Sequence, residues 1–430
     1  MAHAIKKTKP QRKITLRIKI KRHKKRGAIT MFNISNQLFR PNKTKRKNIY
    51  LVHFSFIFLA SALGGVTQAK AQVTCRPEIE NIPKTYVIPL APINISAGVD
   101  MPVNTEIYHG STRLGWDSAN RITCWASSPP ETMNFGEFYG IQDAPMPISN
   151  INAGIYETGI PGIGVKVGDG VTGATKERPL RTLRTFNLER PGEISSHSNL
   201  SSFINLVKTG PLIPGSYPLN AANLPTATRY FDNRAGYPTI QGFPILTSVI
   251  QYQGVINVSA QTCTTPDVDV PMGKHDANTT FTGIGSTTSW IKVNLTLQNC
   301  PTFYGYYDRF NSIWLFDGDR GGELPAGISD SRNNQIGARF TPNTSVVDAA
   351  KGIMAIDTTE TTAASGIGIQ LGWGEATPVP IDLNTESRMT LPKDGSPTIS
   401  VPLSARYIQT ANTVTPGRAD GKLTFTINYY

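Results

Sequence analysis

Apolar residues recur at every second position through much of the later chain. In "GKLTFTINYY", residues 421–430, Leu423, Phe425, Ile427 and Tyr429 alternate with polar partners, which is the period of a strand with one buried face. The same alternation runs through Val268 and Val270 in "DVDV" and through Ile291, Val293, Leu295 and Leu297 in "SWIKVNLTLQNC". "SIWLF", "GIMAI", "GIGIQL" and "TISVPLSARYIQT" continue the series, separated by turn signals such as "DGDRGG", "PKDG" and "TPGRADG". Earlier in the chain, "YVIPL", "VNTEIYHG", "AGIYETGIPGIGVKVGDG", "RTLRTFNL" and "SFINLVKTGPLIPGSYPL" give further short runs cut by Gly and Pro. The predicted fold class is all-β, with two β-sandwich domains. Composition agrees, because 38 Gly and 31 Pro in 430 residues favour short strands and turns over long helices.

Charge changes the picture only once it is located. The formal net charge of +13 would suggest a nucleic-acid partner, but 18 of the 43 Lys and Arg lie in residues 1–71, which hold no Asp or Glu. The remainder carries 25 basic against 30 acidic residues, a net of −5. No nucleic-acid partner is therefore expected. The leader itself reads as an export signal: "KTKRKN" at 43–48 is basic, "IYLVHFSFIFLASALGGV" at 49–66 is apolar, and "AKA" at 69–71 supplies small residues for cleavage before Gln72. The basic run upstream either extends this signal or precedes a start at Met31.

All four cysteines follow the predicted cleavage point, at 75, 124, 263 and 300. Of three possible connectivities, Cys75–Cys124 and Cys263–Cys300 keeps each bridge within one half of the chain, and disulfides imply an oxidising compartment. Chain-entropy reasoning assigns each about 4 kcal/mol. No CxxC spacing or His cluster supports a metal. The pairs also suggest an organisation into a leader, 1–71, and two domains, 72–258 and 259–430. For the second domain the strand series suggests an immunoglobulin-like sandwich, which closes with a seventh strand. None remains after Tyr430, so one edge of its core is expected to be open.

Residues 258–430 resemble the pilin domain of chaperone–usher fimbriae. "VSAQTCTTPDVDVPMG", "FTGIGSTTSW", "LQNCP", "GIGIQL" and "VPLSARYIQTANTVTPGRADGKLTFTINYY" carry the likeness. The family's terminal motif falls on Gly417, then Leu423, Phe425 and Ile427, then Tyr429, with Tyr430 last. The resemblance implies an incomplete immunoglobulin-like fold whose missing strand comes from a periplasmic chaperone, then from the next pilin subunit, at an outer-membrane usher. Residues 423–430 are then expected to pair with the donated strand. Only "QVT" precedes Cys75 after cleavage, so no free donor extension is expected, which suits the tip of a fibre. "YETGIPGIGVKV" and "INLVKTGPLIPG" resemble stretches of two-domain fimbrial adhesins, notably the type 3 group known for binding collagen. Residues 72–258 would then be an adhesin domain, able to fold alone, that meets a host glycan or a matrix protein such as collagen. The alternative is a minor tip or initiator subunit without a receptor of its own.

Receptor contacts are sought where aromatic and short polar side chains share a loop. "YHGSTRLGWDSANR", "NFGEFYGIQD" and "RYFDNRAGYP" offer Trp116, Asp117, Asn120, Arg121, Tyr139, Asp143, Tyr230, Asp232 and Arg234. Trp125 is expected to pack against the neighbouring disulfide. Lys176, Arg178, Arg181, Arg184 and Arg190 form a basic stretch suited to sulfated or sialylated glycans. Chemistry finds little footing. "GIGVKVG" at 162–168 alternates like a strand instead of opening a helix, so it is not read as a nucleotide loop. His109, His197 and His275 are widely separated and lack a nucleophile motif. "DGDRGGE" at 317–323 lacks EF-hand spacing and reads as a Gly-rich turn. No cofactor is expected, and a secreted glycosidase is the enzymatic alternative.

Overall fold

The computed structural model describes residues 73–430, apart from 91–92, 127–130, 189–192, 198–200, 260–261 and 323–329. The leader and its export signal lie outside the described residues, as does Arg190. The fold is all-β: among the described residues, helix is limited to Ala277–Thr280 and the single turns Ser118–Asn120 and Gly318–Arg320.

The earlier residues build a sandwich from two large sheets. At its centre is the long strand Ile245–Ser259, whose first half pairs antiparallel with Thr226–Asn233 and whose second half pairs with Gly215–Leu219. Its other edge takes Lys84–Pro89 and then Ile93–Ser96 in parallel. Thr226–Asn233 continues the sheet to Glu131–Asp143 and on to the edge strand Leu180–Leu188. The facing sheet runs from Tyr156–Glu157 through Ile163–Gly168 and Ser202–Lys208 to Glu106–Arg113. Ile163, Val165 and Val167 are all fully buried between the sheets, as their alternation predicts. Tyr108, Ile204 and Leu206 meet Ile88, Ile250 and Tyr252 in the same core. A smaller sheet, Val73–Pro77, Arg121–Ala126 and Glu193–His197, carries Cys75 directly opposite Cys124, where the disulfide forms.

The later residues form a second sandwich around their own core. One sheet centres on Ile367–Trp373 and Leu403–Gln409, the other on Gln335–Pro342 flanked by Ser387–Thr390 and Leu423–Tyr429. The Cys263–Cys300 bridge closes as predicted. Val270 and Met272 are buried in this core, yet residues 266–273 join no ladder among the described residues. Each fully buried Leu, Ile or Phe here contributes about 1.5–3 kcal/mol.

The sheets do not respect a boundary near residue 258. The strand Ile313–Asp317, from the later part of the chain, pairs in parallel with Glu106–Arg113 and forms the edge of the earlier sandwich, placing Ile313 and Leu315 in its core. All described residues belong to one compact unit. Trp125 also departs from expectation. Adjacent strand residues face opposite ways, so with Cys124 turned into the core Trp125 lies on the outer face, where the Arg76 guanidinium sits 5.4 Å from its ring centroid.

Candidate functional site

The terminal strand Leu423–Tyr429 is paired on one side only. Tyr430 and Gln335 exchange both backbone hydrogen bonds, 2.8 and 3.0 Å, so in this antiparallel register Asn428, Thr426 and Thr424 also aim their main-chain groups at Gln335–Pro342. Leu423, Phe425, Ile427 and Tyr429 therefore aim theirs outward, at an edge that no strand covers among the described residues. Their side chains face the core: Leu423, Phe425 and Tyr429 are buried and Ile427 is half-buried. Upstream, Gly417 passes so close to residues 362–364 that a Cβ would lie 2.4 Å from Ala364 N. Any side chain there would lift the approach to the strand.

One outward position is already taken. Asp100, from the earlier sandwich, donates its backbone N–H to Tyr429 O at 3.1 Å, and its carboxylate Oδ2 accepts from Tyr429 N at 2.9 Å. The segment that brings it there is held tightly. Asn334, buried, donates to Ser96 O at 2.7 Å and to Tyr430 O at 3.2 Å and accepts from Gly305 N at 3.0 Å. A Cβ on Gly98 would lie 2.1 Å from Tyr429 O, so only glycine fits. Lys208, buried, donates its ammonium to the carbonyls of Gly98, Val99 and Met101 at 3.1, 3.0 and 2.6 Å. The edge left for a partner is thus Leu423 to Ile427, shorter than the 423–430 expected.

Of the sequence candidates, Trp116, Asp117, Asn120 and Arg121 come together around the turn Ser118–Asn120. Trp116 is 58% exposed and lies on His197, ring centroids 3.5 Å apart. Its backbone N–H donates to Asp319 Oδ1 at 2.9 Å. Burial lowers the His197 pKa, and the nearby Arg184 charge lowers it further. Asp117 caps the turn and pairs with Lys84 and Tyr86. Burial works against its charge, but hydrogen bonds from Lys84, Ala119 N and Tyr86 keep its carboxyl below the usual range. Arg121 reaches Glu78 at 2.6 Å. Asn120 is a correction: it is fully buried, bonded to Tyr86 and Ser248, and out of reach of a receptor. Tyr139 is another, buried in the core with Arg229 over its ring. Tyr139 lies in a strand and Asn120 ends the turn, but both turn their side chains inward. The rest do not join Trp116 in one pocket. Asp143 ends its strand beside Lys176, Tyr230 stacks on Phe138, Asp232 accepts from Asn233 N, and Arg234 covers Tyr237. In the basic stretch, Arg184 pairs with the buried Glu137 at 2.9 Å, while Arg178 and Arg181 are exposed.

Sequence reasoning missed a second polar cluster, for which no motif exists. Glu106 accepts from Lys166 Nζ at 2.8 Å and Asn205 Nδ2 at 2.7 Å, with His109 Nδ1 at 3.4 Å. Burial pushes its pKa upward, but the His109 and Lys166 hydrogen bonds, the Lys166 charge and Asn205 outweigh this and hold it at about 2, from 4.5. A lowered carboxylate pKa stabilises the fold fully above about pH 4.5, and that stability is lost as pH falls toward 2. The shift corresponds to about 3 kcal/mol. Urea unfolding of the full chain is expected to lose this amount between pH 5 and pH 2, and Glu106→Gln, already destabilised at pH 7, to lose correspondingly less. Equal acid sensitivity in the two proteins would contradict this.

Comparison with known proteins bears on the open edge. Residues 250–430 match the family model described as fimbrial protein. No curated protein sequence matches the chain. Among solved structures, the CupB6 tip adhesin of Pseudomonas aeruginosa is similar at 13% identity over 77% of this chain and 89% of that one, with a TM-score of 0.27. The receptor-binding domain of the adhesin MrkD1P of Klebsiella pneumoniae matches at 17% identity over 45% of this chain and 98% of its own, also with a TM-score of 0.27. The Burkholderia pseudomallei antigen and type I fimbria protein BPSL1626 matches at 23% identity over 40% and 90%, with a TM-score of 0.22. Scores of this size do not establish a common fold.

Proposed function

We propose that the chain is a tip adhesin of a chaperone–usher fimbria, exported through the periplasm to the cell surface. In this reading residues 72–258 meet a host glycan or matrix protein, and residues 259–430 are a pilin domain completed by a partner's strand. The observation that carries it is the bare outer edge from Leu423 to Ile427, over a buried apolar face, in a region that matches the fimbrial family. Residues 266–273, which bury Val270 and Met272 in the same core without joining a ladder among the described residues, support the same reading. A periplasmic chaperone, and then the next pilin at the usher, would add a strand there. Val73–Pro77 is already consumed in the sheet with Arg121–Ala126, so the residues after the predicted cleavage point cannot serve as a donor strand, which favours the tip. The activity is binding, without bond-making chemistry.

The receptor surface we favour is the exposed Trp116 with Arg121 and Asp117 beside it. Because Ile313–Asp317 completes the earlier sandwich, the test uses the full chain and not residues 72–258 alone. The chain is applied to arrays of host glycans and matrix proteins beside Trp116→Ala. A specific hit weakened about tenfold or more in the variant, with an unchanged unfolding midpoint, is expected for an exposed aromatic anchor. A folded chain that binds nothing on a broad array would instead favour the minor tip or initiator subunit.

A further inference from the structure

The strand Glu106–Arg113 leads to Trp116 at one end and to an open cavity at the other, roughly 23 Å away at about 3.3 Å per residue. This cavity, about 610 Å³, is walled by both parts of the chain: residues 104–106, 152, 153, 155, 166, 170–173 and 207 on one side, and 306, 308–310 and 332 on the other. Its size suits a small ligand or the end of a larger one. The Glu106–Lys166 pair contributes to the wall, and Asp308 pairs with Arg332 at 3.1 Å. Both lining carboxylates are thus matched by a cation. The third lining cation, Arg309, has no ion-pair partner among the described residues, which leaves the cavity with a surplus of one positive charge.

Arg309 is also presented in a particular way. Its guanidinium lies 4.8 Å from the centroid of the Phe310 ring, and Phe310 is 70% exposed at the rim. Its ring offers a flat apolar face at the mouth of the cavity. The loop beneath is fixed: Asp308 Oδ1 accepts from Phe310 N at 3.0 Å and Asn311 N at 3.2 Å, and Tyr307 N donates to Ile107 O at 3.1 Å. Around this rigid rim the neutral polar groups of Asn104, Asn152 and Thr172 offer both donors and acceptors. A planar cation, an aromatic face and neutral amides and hydroxyls match a carboxylate, the C–H face of a sugar ring and its hydroxyls, respectively.

We infer that this cavity is a second binding site, distinct from the Trp116 surface, for a carboxylate-bearing saccharide, with Arg309 on the carboxylate and Phe310 under the ring. Sialic acid and uronic acid termini share this chemistry. The inference does not depend on the adhesin reading, since a soluble sugar probes it directly.

The experiment is calorimetric titration of the full chain with 3′-sialyllactose, a glucuronate trisaccharide, lactose and a tetraglutamate peptide. At least one acidic sugar is expected to bind ten times or more tightly than lactose and than the peptide, and which one does so identifies the source. Arg309→Ala and Phe310→Ala, both exposed and so expected to fold, should each weaken that sugar tenfold or more, while Trp116→Ala should not. Equal binding of acidic and neutral sugars, preference for the peptide, absence of binding, or binding indifferent to both cavity variants would each overturn the inference. If the acidic sugar binds here but the chain attaches to no cell or matrix surface, the site stands and the adhesin reading falls.

Discussion

Phe425→Asp is expected to remove the chain from the cell surface. Phe425 is 4% exposed in the second core, and a carboxylate buried there without a partner costs several kcal/mol. Its main-chain groups, which face outward, are kept by the change, so the damage falls on the groove floor that a donated strand would cover. Core damage alone would give the same loss, so Ile427→Pro separates the two causes. It leaves Leu423, Phe425 and Tyr429 in place and deletes one N–H that faces outward, not one that serves the ladder with Gln335–Pro342. Immunodetection of the full chain on intact cells is expected to fall below detection for Phe425→Asp and by about tenfold or more for Ile427→Pro, the equivalent of one lost charge-free edge contact or a little more. Normal surface levels of both variants would contradict strand addition at this edge.

Lys208→Met is expected to cost about 3 kcal/mol, because three carbonyls lose a charged donor at once, that of Met101 buried and those of Gly98 and Val99 partly so. The nearly equal length of Met keeps the packing, so the loss reports the hydrogen bonds. The damage should spread to the terminal strand, since Lys208 holds the Gly98–Met101 segment and that segment holds Tyr429 through Asp100. Urea unfolding of the full chain measures the cost, and the Tyr429 amide should exchange faster with solvent. A variant within about 1 kcal/mol of the parent would show that the segment is held by packing alone.

Strand positions were legible because a half-buried strand writes its period into the sequence; Leu423, Phe425 and Tyr429, and Ile163, Val165 and Val167, are buried as their alternation requires. The disulfides were legible because each joins residues brought close within one part of the chain. Pairing partners were not. Alternation tells which face is buried but not which sheet receives it, so "SIWLF" reads as a strand of the second sandwich although Ile313–Asp317 completes the first. The "DVDV" alternation is likewise genuine, with Val270 buried, yet it joins no ladder among the described residues. Candidate contacts fared according to local context. Trp116 lies beside a one-turn helix on the surface, whereas Asn120 and Tyr139 looked alike in composition and were claimed by the core. Asp100, Lys208, Glu106 and Asn205 act through neighbours distant in sequence, a relation that no local spacing records.

The most direct test of the open edge is residue-resolved hydrogen exchange of the full chain, alone and after co-purification with a periplasmic fimbrial chaperone. In the free chain the Phe425 and Ile427 amides, facing outward, should exchange quickly, while Tyr429, held by Asp100, should already be protected. Strand addition predicts that capture slows Phe425 and Ile427 by orders of magnitude and leaves Tyr429 nearly unchanged. If the amides of Phe425 and Ile427 exchange at the same rate in both states, no strand has been added at this edge, and the proposed mode of assembly is wrong.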